Sequence, residues 1–229
     1  MNKLIILNIE MSFGEVIEEI HPVVLCDDSN RVLVDCGYVG SLSRIEEALC
    51  SKDISPETIT HIILTHQDHD HVGAVAAFKR KYPKVRILAS AKEMDYINGA
   101  RKSLRLEQAE QLQEKLPIEM QNFGKSFCNL LRSVEPVLID QVLSDEERLP
   151  FCGGCQVIPT PGHTPGHISL YLSEFDLIIA GDAIALESNK PVIANPQFTL
   201  DMDKAIASMK RLLEYPGSKI ICYHGGLLD

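Results

Sequence analysis

The segment THQDHDHVG, residues 65–73, carries three histidines and two aspartates within six consecutive positions. It follows the apolar run HIIL, which predicts a buried strand that ends at a loop. In extended backbone, side chains two positions apart share a side, so His66, Asp68 and Asp70 can converge, while His71 turns with the start of a helix. Imidazole with carboxylate is the ligand mixture that suits Zn, Fe and Mn. The segment therefore predicts a metal site at a strand end.

Further ligand candidates lie at the ends of later predicted strands. The segment TPGHTPGH offers His163 in a loop that proline and glycine constrain, and Asp182 ends the run DLIIAGD. An unpaired buried carboxylate is costly there, and a cation would explain it. His224 ends the run KIICYH. The candidate metal ligands are His66, Asp68, Asp70, His71, His163, Asp182 and His224.

The alternation of β-rich runs with helical patterns predicts one α/β domain over residues 1–229, a length that suits a single domain. The predicted helices include 42–50 and the run MDKAIASMKRLLEY, and residues 27–30 form a predicted hairpin turn. The predicted strands are the runs KLIILNI, HPVVLCD, RVLVDCG, HIIL, KVRILAS, PVLID, CQVIPT, ISLYLS, DLIIAGD and KIICYH.

Residues from about 91 to 134 differ in composition from their surroundings. Glu, Gln, Lys, Leu and Arg dominate, and KSLRLEQAEQLQEKLP has helical periodicity, so we expect a helical insertion that caps the site. Its apolar side chains either face an acyl chain, or they pack the insertion on the domain or form a homodimer contact. These side chains are Met94, Tyr96, Ile97, Phe123 and Phe127.

Composition excludes several other classes of protein. A net charge of -10 argues against nucleic acid as a partner, and no apolar run approaches the ~20 residues that span a bilayer, so no membrane contact is expected. The amino-terminal residues show no secretory cleavage site, and the seven cysteines are irregularly spaced, which predicts reduced thiols and a cytoplasmic location. We interpret Cys152-Gly-Gly-Cys155 as a turn rather than a redox or metal pair.

The segments THQDHDH, TPGHTPGH, AGDA and YHGG, in that order, together with LVDCG, resemble motifs of the metallo-β-lactamase superfamily. The resemblance covers nearly the whole chain except the predicted insertion. It implies a four-layer αββα sandwich with a dinuclear metal site. Carried over by position, it assigns His66 and His163 to the first metal and Asp70, His71 and His224 to the second. Asp182 would bridge the two.

One position departs from the family pattern. The usual loop reads His-x-His-x-Asp-His, whereas here Asp68 takes the place of the second histidine and His69 follows it. Either Asp68 ligates the first metal, or the loop shifts and His69 does so; backbone alternation favours Asp68. A carboxylate makes this site harder and favours Fe or Mn over Zn. The flavodiiron proteins of the superfamily, which hold two irons, are similar in having a carboxylate at the position of Asp68.

The first functional expectation is a metallo-hydrolase with two divalent ions, zinc first and iron or manganese as alternatives. A bridging hydroxide would attack a small ester, thioester or lactone, and Asp70 would also orient this nucleophile. The GHTPGHIS stretch looks most similar to the glyoxalase II and lactonase branches. The alternatives are a diiron redox or oxygen-handling protein, which Asp68 suggests, and a metal-bound sensing module without turnover. The substrate, the metal and the oligomeric state stay open.

Overall fold

The computed structural model describes residues 1–14, 16–215 and 219–228. The strands are β1 (Lys3–Ile6), β2 (Ile9–Phe13), β3 (Val16–Ile20), β4 (Val23–Cys26), β5 (Arg31–Val34), β6 (His61–Leu64), β7 (Arg86–Ser90), β8 (Gln141–Leu143), β9 (Arg148–Leu149), β10 (Cys155–Pro159), β11 (Ile168–Leu172), β12 (Leu177–Gly181), β13 (Ala185–Glu187), β14 (Lys190–Val192), β15 (Lys219–Cys222) and β16 (Gly226–Leu228). The helices are α1 (Leu42–Cys50), α2 (His69–Val72), α3 (Val75–Lys81), α4 (Ala91–Ile97), α5 (Leu104–Gln113), α6 (Gln121–Arg132) and α7 (Met202–Leu213).

Two six-stranded sheets form the centre of the fold. The first has the order β1-β4-β5-β6-β7-β8, and β5 to β8 run parallel to one another. The second has the order β16-β15-β12-β11-β10-β9, in which β12 and β15 are the parallel pair. Two hairpins, β2–β3 and β13–β14, stand outside these sheets. Parallel neighbours place their carboxyl ends at one edge, which is where loops can combine their side chains.

Alternation of side chains along each strand produces the layers. Val32 and Val34 of β5 pack between the two sheets, whereas Leu33 packs on the outer side with the helices. In the second sheet, Ile179 faces the first sheet and Ile178 faces α7. Because both faces of each sheet are covered, these strands are apolar on both sides.

Helices cover the outer face of each sheet. Ile45 and Leu49 of α1 and Phe78 of α3 are fully buried in the outer cluster of the first sheet. Leu212 of α7 is buried against the second sheet. The order of layers is therefore helix, sheet, sheet, helix, and it confirms the fold class that the sequence predicts.

The expected boundaries hold for several elements and fail for others. Helix α1 coincides with the predicted 42–50, and β4 and β5 pair antiparallel around the predicted turn at 27–30. The predicted first strand is wrong in extent, because β1 ends at Ile6 and the hairpin β2–β3 follows. The predicted strand PVLID is also wrong, since β8 begins only at Gln141. There Val137 bonds to the carbonyl of Ile97, and Asp140 bonds to Ile87 through backbone and side chain.

The segment 91–134 contains α4, α5 and α6. Ala109, Cys128 and Leu131 form a small apolar cluster of their own between α5 and α6. Ile97 belongs instead to the outer cluster of the first sheet, and Phe123 is 68% exposed. Of the apolar side chains that we considered for an acyl chain, Phe123 therefore faces solvent, and Ile97 also packs on the first sheet. Within the described ranges, no helix is long and apolar enough to cross a membrane.

Candidate metal centre

The seven candidate ligands lie together at one edge of the two sheets. His66 follows β6, and Asp68 directly precedes α2, which contains Asp70 and His71. The other three follow strands of the second sheet: His163 lies beyond β10, Asp182 follows β12 and His224 follows β15. They form two groups: the first is His66, Asp68 and His163, and the second is Asp70, His71, Asp182 and His224.

The second group has the spacing of a four-ligand site. The Nε2 atom of His71 lies 3.3 Å from Asp182 Oδ1 and 3.6 Å from Asp70 Oδ2. The Nε2 atom of His224 lies 3.1 Å from Asp70 Oδ2 and 3.6 Å from Asp182 Oδ1. Ligand atoms about 2.0–2.1 Å from a tetrahedral cation are about 3.3 Å from each other, so the four atoms fit one ion.

The first group is equally compact and adjoins the second through Asp182. Asp68 Oδ2 lies 3.0 Å from Nε2 of His163 and 3.6 Å from Nε2 of His66. The Oδ2 atom of Asp182 lies 3.5 Å from Nε2 of His163, while its Oδ1 faces the second group. One carboxylate thus offers one oxygen to each group, which is the arrangement a bridging ligand needs.

Several polar atoms of the candidate ligands are buried without a hydrogen-bond partner. Among the described residues they include Nε2 of His66, Nε2 of His71, Oδ1 of Asp68 and Oδ1 of Asp182. A buried polar atom without a partner costs about 1–3 kcal/mol, so a convergent set of them calls for an explanation. Cations in the two groups supply one, and the residues therefore fit a dinuclear site.

Asp35 fixes the orientation of His71. It follows β5 in the LVDCG segment, and its Oδ2 lies 2.9 Å from His71 Nδ1. Its carboxylate also accepts hydrogen bonds from the backbone N–H and the hydroxyl of Thr65. With Nδ1 donating to Asp35, Nε2 of His71 is left as the ligand atom, as is usual for metal-binding histidines.

Arg105 of α5 reaches into the first group. Its Nη2 and Nε donate to Asp68 Oδ2 at 2.5 and 3.1 Å. Burial alone would raise the pKa of Asp68, but the charge of Arg105, the hydrogen bond with His163 and the nearby His66 outweigh it and hold that pKa well below its usual range. Asp68 is therefore an ionised carboxylate.

Glu93 of α4 connects the two loops that carry the first group. It accepts from the backbone and side-chain N–H groups of Gln67 and from the hydroxyl of Thr164 and the backbone N–H of Gly166. Gln67 in turn accepts from the N–H of Leu104 at the start of α5. The segment 91–134 is thus tied directly to the residues that flank His66 and His163.

His167 positions the backbone of Asp182 through a hydrogen bond and is not a member of either ligand group. Its Nδ1 lies 2.8 Å from the hydroxyl of Thr160, and its Nε2 accepts from the N–H of Asp182. Burial lowers the pKa of His167 well below its usual value, which keeps the ring neutral for this role. Gly181 permits the contact, because its φ is +56° and a Cβ there would lie 2.8 Å from His167 Nε2.

His69, the alternative ligand to Asp68, lies outside both groups. Its ring contacts Tyr38 and Phe127 at the edge of the site. Tyr223 donates a hydrogen bond to the carbonyl of Asp70, and Tyr38 donates one to Glu18. Burial and neighbouring negative charges raise the pKa of both tyrosines, so they are neutral.

The two cysteines of the CGGC segment do not contribute to the centre. Both are free thiols, and burial raises the pKa of Cys152 to about 11 and that of Cys155 to about 12. A thiol is a metal ligand or nucleophile as the thiolate, which such values disfavour. The interpretation of this segment as a turn agrees with the local structure, in which Gly153 and Gly154 both have positive φ.

The comparison with known families matches residues 19–224 to the Metallo-beta-lactamase superfamily. The match covers most of the chain, and the chain belongs to this superfamily. The family and its metallo-hydrolase relatives support a hydrolase, and the His and Asp cluster of this chain is able to bind metal ions.

Two curated relatives are similar at low identity. The chain is 29% identical over 214 residues to the probable metallo-hydrolase YflN of Bacillus subtilis, and the match covers 85% of this chain and 75% of that protein. It is 26% identical over 180 residues to the hydroxyacylglutathione hydrolase GloC of Haemophilus influenzae, covering 78% of this chain and 72% of that protein.

Solved structures share the fold. A metallo-beta-lactamase family protein of Thermus thermophilus has a TM-score of 0.75 at 22% identity and covers 98% of this chain and 74% of that one. AidC, a dizinc quorum-quenching lactonase, has a TM-score of 0.64 at 22% identity, covering 93% and 75%. At this identity the likeness concerns the fold.

The sequence interpretation missed three supporting residues. Asp35 ends a predicted strand in LVDCG, and the strand-end rule that selected Asp182 could have selected it too. Glu93 and Arg105 gave no such signal, because Gln67 is 26 positions from Glu93 and Asp68 is 37 positions from Arg105. Only the fold brings these partners together.

Proposed function

We propose that the chain is a metal-dependent hydrolase of a small ester, thioester or lactone. The observation that carries this proposal is the pair of adjacent ligand groups that share Asp182, one oxygen for each group. Two divalent ions held there would lower the pKa of a bridging water toward ~7 and polarise a carbonyl oxygen. Zinc is the proposed metal, with iron or manganese as alternatives.

The residues around the centre have separate roles in this proposal. His66, His163 and Asp68 would hold the first ion, and His71 and His224 the second. Asp70 offers Oδ2 to the second group, since this atom lies 3.1 Å from His224 Nε2. The other oxygen of Asp70, Oδ1, remains to accept the proton of the nucleophile and to orient it. Asp70 is therefore the proposed catalytic residue as well as a ligand.

The charges of the centre balance under this proposal. Asp68, Asp70 and Asp182 with one hydroxide carry four negative charges, which equal the charge of two divalent ions. Counting the buried Asp35 and Arg105 as well leaves this balance unchanged for the centre as a whole, because their charges are opposite. Burial of so many charged groups is tolerated only when they are paired in this way.

A series of aromatic rings beside Asp70 supports a substrate with an apolar part. Neighbouring rings lie 4.9 to 5.8 Å apart between centroids. In order they are Phe13, Tyr38, His69, Phe127 and Phe198. A cavity of about 220 Å³ opens beside His69 under the insertion, with Ile97, Leu106 and Leu131 in its wall. An acyl chain or lactone ring suits such a surface. The name of GloC, a hydroxyacylglutathione hydrolase, agrees with this class of substrate.

The second candidate is a diiron redox protein, which the carboxylate at Asp68 favours through its hardness. The pair with Arg105 reduces the weight of that observation, because the guanidinium offsets the charge that Asp68 adds to the first group. We therefore place hydrolysis first. A small molecule is the proposed partner, without nucleic acid or membrane, and the cytoplasm is the proposed location.

Metal analysis followed by a substrate panel tests the proposal. Protein purified without chelators is expected to hold about two zinc ions per chain and to hydrolyse members of an ester, thioester and lactone panel. Two iron ions with visible absorbance and no hydrolysis would support the redox candidate instead. Full metal content with neither hydrolysis nor redox turnover would support the third alternative, a metal-bound sensing module without turnover.

Two phenylalanines on α6 give a matched pair of variants for the substrate. Phe127 contacts His69, whereas Phe123 is largely exposed on the same helix. Phe127→Ala is expected to raise KM for esters of longer acyl chains by about 10-fold, the scale of losing most of a buried side chain's contacts, with little change for acetyl esters. Phe123→Ala should leave both unchanged. Equal effects of the two substitutions would remove the aromatic series from the proposed substrate site.

A further inference from the structure

Of the charged side chains of α5, only that of Arg105 contacts candidate metal ligands within the part of the chain that the structure describes. It is 2% exposed, and Asp68 is 4% exposed. Besides its two hydrogen bonds to Asp68 Oδ2, its Nη2 lies 3.3 Å from Nε2 of His163. The guanidinium therefore contacts two of the three ligands of the first group.

The guanidinium is held in place from its other side as well. Its Nη1 donates to the backbone carbonyl of Phe198 and to the side-chain oxygen of Gln108. Its Cζ lies 4.9 Å from the centroid of the Phe198 ring, a cation–π contact. These contacts come from two different segments, so the fork of donors has a fixed direction before it meets Asp68.

The pair differs from the other arginine–carboxylate pairs of the described chain by its burial. Arg80 and Glu135 also pair through two hydrogen bonds, but both are more than half exposed. Water screens such a surface pair and makes it worth little, whereas removing one partner of a buried pair leaves an uncompensated charge.

We propose that Arg105 is a positioning residue for the first metal ion, and that the insertion is for this reason part of the metal centre. The guanidinium fixes the carboxylate of Asp68 and cancels its charge. Together, Asp68 and Arg105 add no net charge, so the first group resembles a neutral ligand set although it contains a carboxylate. This inference rests on the dinuclear centre of the proposed function.

The test is metal titration of the full chain after chelator treatment, followed by calorimetry and native mass spectrometry. The unaltered protein is expected to bind two zinc ions. Arg105→Met is expected to keep one tight equivalent and to weaken the other by 10–100-fold, the usual effect of losing a partner of a metal ligand. Arg105→Lys, which keeps the charge but not the fork, should fall between the two. Two equivalents of unchanged or greater affinity in Arg105→Met would overturn the proposal.

Two more variants keep the test decisive. Arg80→Met removes an exposed guanidinium of the same pairing type and should leave both zinc affinities unchanged. Phe198→Leu removes the ring under the guanidinium and keeps the carbonyl, so it is expected to weaken the binding of one zinc ion by about 3–10-fold. This variant replaces Arg105→Met as the test if Arg105→Met fails to fold. No change in Phe198→Leu would then count against the proposal.

The titration separates this inference from the function. If the panel shows no hydrolysis but Arg105→Met loses one tight equivalent, the positioning role stands and the hydrolase proposal fails. If hydrolysis occurs and the zinc affinities of Arg105→Met match those of the unaltered protein, the hydrolase proposal stands and the positioning role fails.

Discussion

Asp35 and His71 lie 36 positions apart in the sequence, and Oδ2 of Asp35 lies 2.9 Å from Nδ1 of His71. Both side chains are almost fully buried. The contact joins the end of β5 to α2, and it selects which ring nitrogen of His71 faces the second ligand group. A residue outside the ligand set thus determines the geometry inside it.

Asp35→Asn tests this relationship. Three donors converge on the carboxylate of Asp35, two of them from Thr65, so an amide NH₂ at this position must face at least one of them. We expect metal affinity to fall by 10–100-fold, measured by competition with a chromogenic chelator. Asp201→Asn at the exposed N-cap of α7 is the control, because asparagine caps a helix about as well as aspartate. Unchanged affinity in Asp35→Asn would show that His71 is oriented by its packing alone.

Asp70→Asn is expected to lower kcat for the best substrate of the panel by about 10²–10⁴-fold, the range for a residue that accepts a proton in the reaction. The amide can still offer one oxygen to the second group but can no longer accept a proton. The measurement is kcat at saturating zinc, with bound metal determined in parallel. A kcat within threefold of the unaltered protein at full metal content would exclude the proposed catalytic role of Asp70.

Zinc binding should release protons at neutral pH. Burial lowers the pKa of His71 and His224, but the neighbouring carboxylates, chiefly Asp35 and Asp182 for His71 and Asp182 for His224, outweigh it and raise both values above 6.5. More of the imidazolium form is then present at pH 7, and a metal ligand must be neutral, so binding displaces the proton. Affinity should therefore fall as the pH is lowered. Calorimetry in buffers of different protonation enthalpy measures the number released, expected to be at least about one per chain. Heats that do not depend on the buffer would contradict this expectation.

Glu93→Gln should destabilise the fold although it barely changes the shape of the side chain. Glu93 accepts four hydrogen bonds in a buried position, and an amide would turn its NH₂ toward donors on Gln67 or Gly166. The expected loss is about 1–3 kcal/mol in the free energy of unfolding, measured by urea denaturation. Glu57→Gln on the surface should change stability by less than about 0.5 kcal/mol. Equal stability of the two variants would indicate that the Glu93 pocket rearranges to accept the amide.

The sequence was most informative where periodicity and strand ends coincide. Continuous apolar runs placed β5, β6 and β12, and the ligand-rich segments that follow such strands meet at one edge because the sheets bring their ends together. Helix α1 was predicted to the residue because its apolar positions keep helical spacing up to Cys50. In these cases the determining interactions are local or follow from chain direction.

The features that the sequence did not reveal depend on tertiary partners. The hairpin β2–β3 has mostly exposed side chains, so its composition gave no strong strand pattern after Ile9. The PVLID segment has a strand-like composition, but its last residue, Asp140, accepts a hydrogen bond from Ile87 of β7 through its side chain. The regular pairing of β7 with β8 starts only at the next residue, Gln141. Arg105 looked like any charged residue of a predicted helix, and only its contact with Asp68 distinguishes it.

Asp182 presents its two oxygens to different ligand groups, so two cations bound there would be coupled. An ion that draws charge from one oxygen changes the charge left on the other. Thermodynamic reciprocity then requires that each ion alter the affinity of its neighbour by the same factor. The binding of the two ions would therefore be cooperative, positively or negatively. A substitution in either ligand group would change the measured affinities of both ions.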